Sequence, residues 1–189
     1  TIDHFFGHLY PGQGVTIHHL LTHTSGIRNH LSLKEFKNSK NHVISISEVI
    51  KKMVELPLEF GPGEKFLYSN TGYALLGMII EKVTGRNLQD YIRATIFTPL
   101  KMHDSFFTGE AVENMAKPGR ARFDCKPGLL YASGALISTV KDLYRYDQAL
   151  YGEKLVSKAM TNEMIKPLYN GKFIKYGYGW FIKCFFGQR

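Results

Sequence analysis

One stretch of this sequence, from Thr71 to about Thr84, is apolar on nearly every side of the helix that its spacing predicts. Tyr73, Leu76, Ile80 and Val83 share one face of that helix, and Leu75 and Ile79 lie on another. Gly85 follows at the position where a left-handed residue commonly ends a helix. A helix that is apolar all round must be covered on all sides, so the stretch predicts a central, buried helix on which the rest of the chain packs.

Shorter amphipathic patterns predict four more helices in the chain. They are expected after Thr16 up to Gly26, over Ser45–Glu55, from Asn87 to Pro99, and over about Thr139–Tyr151. The second is the best marked, because Ser45 and Glu48 have the spacing of a capping box. The last is expected to turn Leu143 and Leu150 inward. Between the last two, residues 101–130 show no regular pattern.

The two ends of the sequence predict that the chain is a fragment of a larger protein. It has no initiator Met and no signal peptide, and Thr1–Phe6 already contains apolar residues that should pack on something. At the other end, the aromatic stretch Tyr176–Phe186 favours a strand, and the sequence stops three residues later at Arg189.

Composition excludes several classes of protein. With 189 residues, 44% of them hydrophobic and 21% charged, the chain is typical of a folded globular protein and not of a disordered one. No apolar run is long enough to cross a bilayer, so membrane anchoring is not expected in this segment. The two cysteines, Cys125 and Cys184, are too few and too far apart for a disulfide framework or a Cys-x-x-Cys metal knuckle.

The net charge of +8 is compatible with an anionic partner such as nucleic acid, lipid or a cell-wall polymer. The lysines are scattered along the sequence, however, and no basic helix or RNA-binding motif accompanies them. We therefore predict no nucleic-acid partner.

Two histidines lie at a spacing that can hold a metal ion on a helix. His19 and His23 are four residues apart, but no Glu stands between them as in His-Glu-x-x-His, and no third ligand is evident. We predict no metal site here and expect structural histidines that hydrogen-bond to nearby carbonyl groups.

The tripeptide Tyr68-Ser69-Asn70 lies between a turn rich in glycine and proline and the central helix. On its own it is equally compatible with a structural role, in which Asn70 caps the helix and Tyr68 packs against its neighbours.

The wider context of this tripeptide resembles a known family. The run Phe60-Gly-Pro-Gly-Glu-x-x-x-Tyr68-Ser-Asn-x-Gly-Tyr-x-Leu-Leu-Gly-x-Ile-Ile-Glu-x-x-x-Gly85 closely resembles the serine β-lactamase and penicillin-binding-protein family, of the class C β-lactamase and D,D-peptidase type. The segments His19-Leu-Leu-Thr-His-Thr-Ser-Gly26, Ile96-Phe-x-Pro-Leu-x-Met102 and Ser138-Thr-x-x-Asp-Leu143 resemble it too. In the family's order they cover nearly the whole chain, which makes the joint resemblance specific.

The resemblance implies an α+β fold of the β-lactamase/transpeptidase type. Residues 1–130 would form most of its helical subdomain, and residues 131–189 a partial return, helix plus strand, to the α/β domain. It implies a serine hydrolase that forms an acyl-serine intermediate with a β-lactam, a D-Ala-D-Ala peptide or a related amide or ester, without a cofactor. Localisation outside the cytoplasm or at the surface of a bacterium is expected from the resemblance alone.

By the same resemblance, Tyr68 would relay the proton of the nucleophile and protonate the leaving nitrogen, and Asn70 would hold the motif lysine and donate to the substrate amide. An ordinary phenol is a poor base at pH 7 unless nearby cations stabilise the phenolate, and the family's two motif lysines are such cations. The Ser-x-x-Lys and Lys-Thr-Gly-type motifs are expected outside this sequence. We therefore expect the 189 residues alone to be inactive.

One literal Ser-x-x-Lys does occur, at Ser138-Thr-Val-Lys141. A nucleophile there would have to follow Tyr-x-Asn, whereas in the family it precedes it. We favour a helix start in which Ser138 or Thr139 is the cap and Asp142 completes a box with Thr139.

The sequence leaves three alternatives open. Asn29 and His30 could contact substrate or belong to a solvated loop. The parent protein could also be a non-catalytic module that binds cell wall or protein on the same helical scaffold, or an esterase or D-amino-acid amidase, since a shared fold does not fix the substrate.

Overall fold

The structure, a computed structural model, describes residues 1–7, 14–33, 45–110, 115–116 and 127–183. Its α-helices in these ranges are Asp3–Phe6, Ile17–Leu21, Ile46–Val54, Asn70–Thr84, Leu88–Ile92, Thr98–Leu100, Pro127–Leu130, Val140–Tyr151 and Lys158–Met164. Short 3₁₀ turns are His30–Ser32 and Tyr131–Ser133, and a π-helical turn, Arg93–Phe97, joins two helices. The strands are β1 (Phe106–Phe107), β2 (Leu136–Ile137), β3 (Tyr169–Asn170) and β4 (Lys175–Tyr176). The predicted predominance of helix over sheet is confirmed.

The helix Asn70–Thr84, called the central helix below, confirms the strongest sequence prediction. Its start differs by one residue, because the N-cap is Ser69, whose hydroxyl accepts a hydrogen bond from the backbone N–H of Gly72. The alternative in which Asn70 caps the helix is therefore wrong. Gly85 ends the helix in the left-handed conformation, with a φ of 65°, and its N–H donates to the carbonyl of Glu81.

The main hydrophobic core lies along the central helix. Its buried members are Ile2, Val15, Leu20, Ile27, Ile50, Ala74, Leu75 and Ile79. Full burial of a large aliphatic side chain stabilises the fold by about 1.5–3 kcal/mol. The first helix joins this core through a backbone hydrogen bond of 2.9 Å from the N–H of Ile2 to the carbonyl of Val15.

The opposite face of the central helix borders a groove of about 480 Å³. Its lining is almost wholly apolar and includes Tyr73, Leu76 and Ile80 of the central helix. Val83, further along the same helix, is 67% exposed. The sequence predicts that every side of the central helix is buried. The structure confirms this for the side that carries Leu75 and Ile79, but the face that carries Val83 is exposed.

The helix Ile46–Val54 also has the predicted start. Ser45 and Glu48 form a full capping box, in which each side chain bonds the backbone N–H of the other residue. Val49 and Met53 of this helix pack with Leu129 in a second, smaller apolar cluster.

Contacts cross the boundary that the sequence suggests at residue 130. Strand β1 pairs antiparallel with β2, so that Phe106 lies opposite Ile137. Tyr131 and Ala132 pack directly against Gly77 of the central helix, where an added Cβ would lie only 2.5 Å from that of Ala132. The return segment thus builds on the central helix, and the division into 1–130 and 131–189 stays a prediction.

Other helix details also differ from the sequence predictions, among them the end of the helix after Thr16, which lies at Leu21 and not at Gly26. Pro99 does not end the helix that begins after Asn87; it lies within the turn Thr98–Leu100, where a residue without an N–H is tolerated because a new α-helical turn starts there. Leu143 is 55% exposed, whereas Leu150 is buried as predicted. The helix Val140–Tyr151 instead turns Asp142 inward, where Asp104 and Ser105 donate hydrogen bonds to its carboxylate.

The aromatic stretch that begins at Tyr176 forms a tight turn instead of a continuous strand. Tyr176 ends β4 and bridges back to Phe181, and the N–H of Gly177 donates to the carbonyl of Trp180 at 2.8 Å. Gly179 has a φ of 83°, a conformation that suits glycine. The remainder of the predicted strand after residue 183, like Cys125 and Cys184, lies outside the described residues.

No helix in the described ranges is long and apolar enough to cross a membrane.

Candidate active site around Tyr68 and Asn70

The segment Tyr68-Ser69-Asn70 is held in place by the chain that runs from His23 to Gly26. The backbone N–H of Glu59 donates to the carbonyl of Gly26, that of Gly63 to Thr24, and that of Leu67 to His23. These bonds, of 2.8 to 2.9 Å, lead the polypeptide through the tight turn at Gly61–Glu64 and into the central helix. The position of the tripeptide is thus fixed by residues more than thirty positions earlier in the sequence.

Ser69 is buried and its neighbours face outward. Its backbone is extended, with φ −134° and ψ 111°, and successive side chains on extended backbone point to opposite sides. Besides capping the central helix, its hydroxyl donates to the carbonyl of Arg28 at 3.3 Å. Because Ser69 points into the core, the side chains of Tyr68 and Asn70 on either side of it both point toward the surface.

Tyr68 is 43% exposed and its ring lies against the imidazole of His23, with the ring centres 4.2 Å apart. Two other tyrosines, Tyr73 and Tyr176, belong to the same aromatic cluster but are more deeply placed. Burial, with a further contribution from neighbouring tyrosines, raises the pKa of Tyr73, and burial also raises the pKa of Tyr176. Tyr68 is the most exposed of these three tyrosines.

Asn70, in the first turn of the central helix, is half-buried and bonds to Asn29. Its side-chain nitrogen donates to the Oδ1 of Asn29 at 3.2 Å. The same oxygen accepts from the backbone N–H of Leu31 at 3.2 Å and so caps the turn His30–Ser32. Among the described residues, the side-chain oxygen of Asn70 has no hydrogen-bond donor, so it is available to a donor from elsewhere.

His30 lies beneath this surface, fully buried. Its Nε2 donates to the carbonyl of Leu129 at 2.9 Å, its Nδ1 lies 3.1 Å from the hydroxyl of Thr71, and burial lowers its pKa. The interpretation of His30 as a solvated loop residue is therefore wrong, and its ring does not reach a surface on which a substrate could bind. His30 instead ties the loop after Arg28 to the central helix and to the helix Pro127–Leu130.

His19 and His23 each accept a hydrogen bond from the backbone. No cluster of three metal-ligating side chains is present in the described ranges. The Nδ1 of His19 accepts from the backbone N–H of Thr16 in a capping box, and the Nδ1 of His23 accepts from the backbone N–H of Ser69. Both histidines are structural as predicted, but their partners are backbone N–H groups and not the expected carbonyl groups.

Ser138 is not the cap of the helix that follows it. The N-cap of the helix Val140–Tyr151 is Thr139, which accepts from the N–H of Asp142 at 3.2 Å. Asp142 does not complete the expected box, because its carboxylate is taken up by Asp104, Ser105 and Arg145. The hydroxyl of Ser138 lies 2.8 Å from that of Ser105, and no described lysine or histidine nitrogen bonds to it. These contacts favour a structural role for Ser138.

The geometry thus brings together three of the four predicted site residues, Tyr68, Asn70 and Asn29, at the N-terminal end of the central helix. A family model for β-lactamases matches residues 7–188. The chain belongs to the β-lactamase family.

Within this family, a relative of known sequence is penicillin-binding protein 4* of Bacillus subtilis (strain 168), which is 33% identical over 200 residues. That alignment covers 92% of this chain and 44% of the relative. A penicillin-binding protein from Bacillus halodurans has a similar solved structure, with 30% identity, a TM-score of 0.76, and coverage of 92% of this chain and 57% of that one.

A D-stereospecific amidohydrolase from Streptomyces sp. is also similar, with 25% identity and a TM-score of 0.79 over 94% of this chain and 61% of that one. The chain therefore spans about half of the length of the relatives that it matches. These neighbours confirm the β-lactamase/transpeptidase-like fold that the motifs imply.

Sequence reasoning missed two residues that shape this part of the β-lactamase-family fold. Ser69 is the variable middle residue of Tyr-x-Asn, yet it is the N-cap of the central helix. His23 was noted for its spacing from His19, although its role depends on Ser69 and Tyr68, which lie far along the chain. A serine directly before Asn70 is a local signal that could have identified Ser69 as the cap. For His23 the sequence contains no local signal.

Proposed function

We propose that this chain forms the helical part of a serine hydrolase of the β-lactamase and penicillin-binding-protein type, and that Tyr68 and Asn70 are its contribution to the active site. The observation that carries the proposal is the arrangement at the start of the central helix. There an exposed phenol and a half-buried amide flank the buried cap Ser69. Family membership and the similar penicillin-binding proteins support it.

In this proposal the reaction proceeds in two steps. The hydroxyl of a serine attacks the carbonyl carbon of a β-lactam, a D-Ala-D-Ala peptide or a related amide or ester. Its proton is relayed through the side-chain oxygen of Tyr68 to the leaving nitrogen or oxygen as the bond to that atom breaks. Water then attacks the acyl-serine ester, which releases the acid and restores the serine hydroxyl.

The side chain of Asn70 has two polar ends that suit its proposed role. Its oxygen is available to accept from the ammonium group of the family's first-motif lysine. Its nitrogen is directed by Asn29, which accepts one of its two hydrogens. The second hydrogen is left for the amide carbonyl of a substrate.

The nucleophile and the two motif lysines are proposed to lie in segments of the full-length protein outside this sequence. Intact-mass measurement after incubation with a reactive penicillin tests this directly. We expect one acyl adduct on the full-length protein, mapped by peptide analysis to the serine of a Ser-x-x-Lys motif, and none on the 189-residue chain. An adduct on Ser138 of the short chain would contradict the proposal.

Tyr68→Phe in the full-length protein tests the proposed proton relay. Loss of one positioned acid–base group is expected to slow acylation by about 10²- to 10⁴-fold. The matched control is Tyr151→Phe, which removes the hydroxyl of an exposed tyrosine at the end of another helix and should leave the rate unchanged. Equal rates in the two variants would exclude Tyr68 from the reaction.

A second candidate activity is hydrolysis of D-amino-acid amides. The similarity to a D-stereospecific amidohydrolase favours it, since that structure superposes on this chain with a TM-score of 0.79. Turnover of a D-amino-acid amide, compared with its L-enantiomer and with a chromogenic β-lactam, distinguishes the two activities. Turnover of the D-amide without β-lactam turnover would identify an amidase.

A further inference from the structure

His23 has a backbone conformation that is unusual for a residue with a side chain. Its φ is 57°, in the left-handed region that favours glycine, and the residue is only 1% exposed. Glycine would adopt this conformation more readily. A histidine at this position therefore points to a task for the imidazole itself.

His23 accepts two backbone hydrogen bonds, one from the residue before Tyr68 and one from the residue after it. The backbone carbonyl of His23 accepts from the N–H of Leu67 at 2.9 Å, and its ring Nδ1 accepts from the N–H of Ser69 at 3.2 Å. Between them, the imidazole lies against the ring of Tyr68 at 4.2 Å with an interplanar angle of 35°. One residue thus holds the backbone on both sides of the phenol and supports the phenol ring as well.

The imidazole is itself held on its other sides. Tyr73 stacks on it at 4.9 Å with an interplanar angle of 26°, and Phe66 meets it edge-on at 5.8 Å. Its Nε2 lies 3.2 Å from the hydroxyl of Tyr176. Since these groups surround the ring, it cannot turn without displacing the aromatic cluster.

The same contacts fix the protonation of the ring. A backbone N–H can only donate, so the Nδ1 facing Ser69 must carry a lone pair. The Nε2 therefore carries the hydrogen and donates to the hydroxyl of Tyr176. Burial lowers the pKa of His23 to about 4, which keeps this neutral tautomer at pH 7.

We propose that His23 is a positioning residue for Tyr68, holding the phenol ring and the backbone of Ser69 so that the phenol oxygen and the Asn70 amide keep a fixed separation. Its effect on catalysis rests on the proposed function, whereas the hydrogen bond to Ser69 and the ring contact do not. His23 acts through Tyr68 and Ser69 and does not itself touch a substrate.

Three variants of the full-length protein separate the parts of this role. His23→Phe keeps an aromatic ring against Tyr68 but removes the acceptor for Ser69. His23→Asn removes the ring but places a carbonyl oxygen where Nδ1 was, and asparagine tolerates a positive φ. Ile50→Ala, in the main core and away from the tripeptide, is the control for general loss of stability.

The first measurement is hydrogen exchange at the Ser69 amide together with ¹⁵N NMR of the His23 ring, neither of which depends on activity. We expect the Nε2–H tautomer in the wild type. We also expect faster exchange at Ser69 in His23→Phe, and near wild-type exchange in His23→Asn. A ring protonated at Nδ1, or unchanged exchange in His23→Phe, would overturn the proposal.

The second measurement is the rate of acylation by a β-lactam, resolved into binding and the acylation step. Because misplacement of a reacting group by about 1 Å can cost on the order of 100-fold, His23→Phe should slow the acylation step by about 10- to 100-fold with little change in binding. We expect His23→Asn to recover part of the rate. A His23→Phe rate no lower than that of Ile50→Ala would show a merely structural role.

The two measurements separate the failure of this inference from failure of the proposed function. If the wild type is not acylated at all, the proposed function is wrong, and exchange at Ser69 still decides whether His23 holds the tripeptide. If the wild type is acylated and His23→Phe is acylated equally fast, only the positioning role is wrong.

Discussion

The side-chain nitrogen of Asn70 donates to the Oδ1 of Asn29 across a distance of 3.2 Å, and the two residues are 41 positions apart in the sequence. The bond joins the first turn of the central helix to the loop that follows the His-Thr-Ser-Gly segment. Since Oδ1 of Asn29 also accepts from the N–H of Leu31, one atom organises both the loop and the amide of the candidate site.

Replacing Asn29 should therefore affect both stability and the candidate site. Asn29→Ala leaves the N–H of Leu31 and the amide of Asn70 without their acceptor, and we expect a loss of about 1–2 kcal/mol in the free energy of unfolding. Asn29→Asp keeps an acceptor of the same shape and should retain most of that stability. Urea unfolding of the two variants checks this, and equal losses in both would contradict the role given to Oδ1.

Ser69 and Ser45 offer a comparison between two helix caps of the same chemistry. Ser45 is exposed, so Ser45→Ala should cost about 0.5–1 kcal/mol. Ser69 is buried and also donates to the carbonyl of Arg28, so Ser69→Ala should cost about 2 kcal/mol or more. The measurement is urea unfolding monitored by circular dichroism. A cost at Ser69 no greater than at Ser45 would argue against the second hydrogen bond.

These caps show how much of the fold the sequence could predict. The central helix and the helix Ile46–Val54 follow from local patterns, because apolar spacing and capping residues act within a few positions. The sequence pattern predicts the start of the central helix one residue late, because serine and asparagine are both good caps. The side chain of Asn70 instead donates a hydrogen bond to Asn29. A local sequence pattern cannot contain a contact between residues so far apart.

Other features depended on contacts that the sequence does not display. The helix Val140–Tyr151 turns Asp142 inward and leaves Leu143 exposed, because the carboxylate of Asp142 accepts hydrogen bonds from Asp104 and Ser105, which directly precede β1. The role of His23 follows from a backbone turn with positive φ and from aromatic residues as distant as Tyr176. Motifs indicated where the candidate site lies, whereas tertiary contacts decide which side chains form it.

Replacing Gly26 tests how closely the backbone at Gly26 must approach that at Phe60, and Gly85 serves as the control. Both glycines have a positive φ, 74° at Gly26 and 65° at Gly85. An added Cβ at Gly26 would lie 2.1 Å from the carbonyl oxygen of Phe60, whereas a Cβ added at Gly85 would have no neighbouring atom within 4 Å. Gly85→Ala should cost about 1–2 kcal/mol from backbone strain alone. Gly26→Ala should cost considerably more, because the backbone of Phe60 must move. Thermal unfolding compares the two, and similar losses would show that the loops can separate freely.

Asp142 should make stability depend on acidic pH. Burial alone would raise its pKa, but hydrogen bonds from Ser105 and Asp104, together with Arg145, outweigh burial and hold the pKa below its usual range. A lowered pKa means that the ionised carboxylate stabilises the fold above about pH 4, its unfolded value, and that this contribution is lost as the pH falls further.

The comparison of Asp142→Asn with Asp147→Asn isolates this effect, because Asp147 is exposed on the same helix. We expect Asp142→Asn to lose about 1–3 kcal/mol at pH 7, with a smaller difference from the wild type as the pH falls below 4. Asp147→Asn should be nearly neutral throughout. A pH-independent loss in Asp142→Asn would mean that its charge contributes nothing.

His23 predicts a second pH dependence in a different range. Its pKa is lowered by burial from 6.5 to about 4, so the unfolded chain binds a proton between these values that the folded chain does not. Stability should therefore be fully present above about pH 6.5 and fall by at most about 1.4 kcal/mol per pH unit down to about pH 4. The titratable groups that face the ring are the phenols of Tyr68, Tyr73 and Tyr176, and burial raises the pKa of Tyr73 and of Tyr176.

The difference between the wild type and His23→Asn isolates this contribution, since other histidines titrate equally in both proteins. Free energies of unfolding measured by urea from pH 4 to 8 should show the wild-type advantage at pH 7 shrinking as the pH falls toward 4. If the advantage stayed constant, His23 would be protonated equally in the folded and unfolded states. The Nδ1 of His23 could then not accept the hydrogen bond from the N–H of Ser69, and His23 would not hold the backbone on both sides of Tyr68.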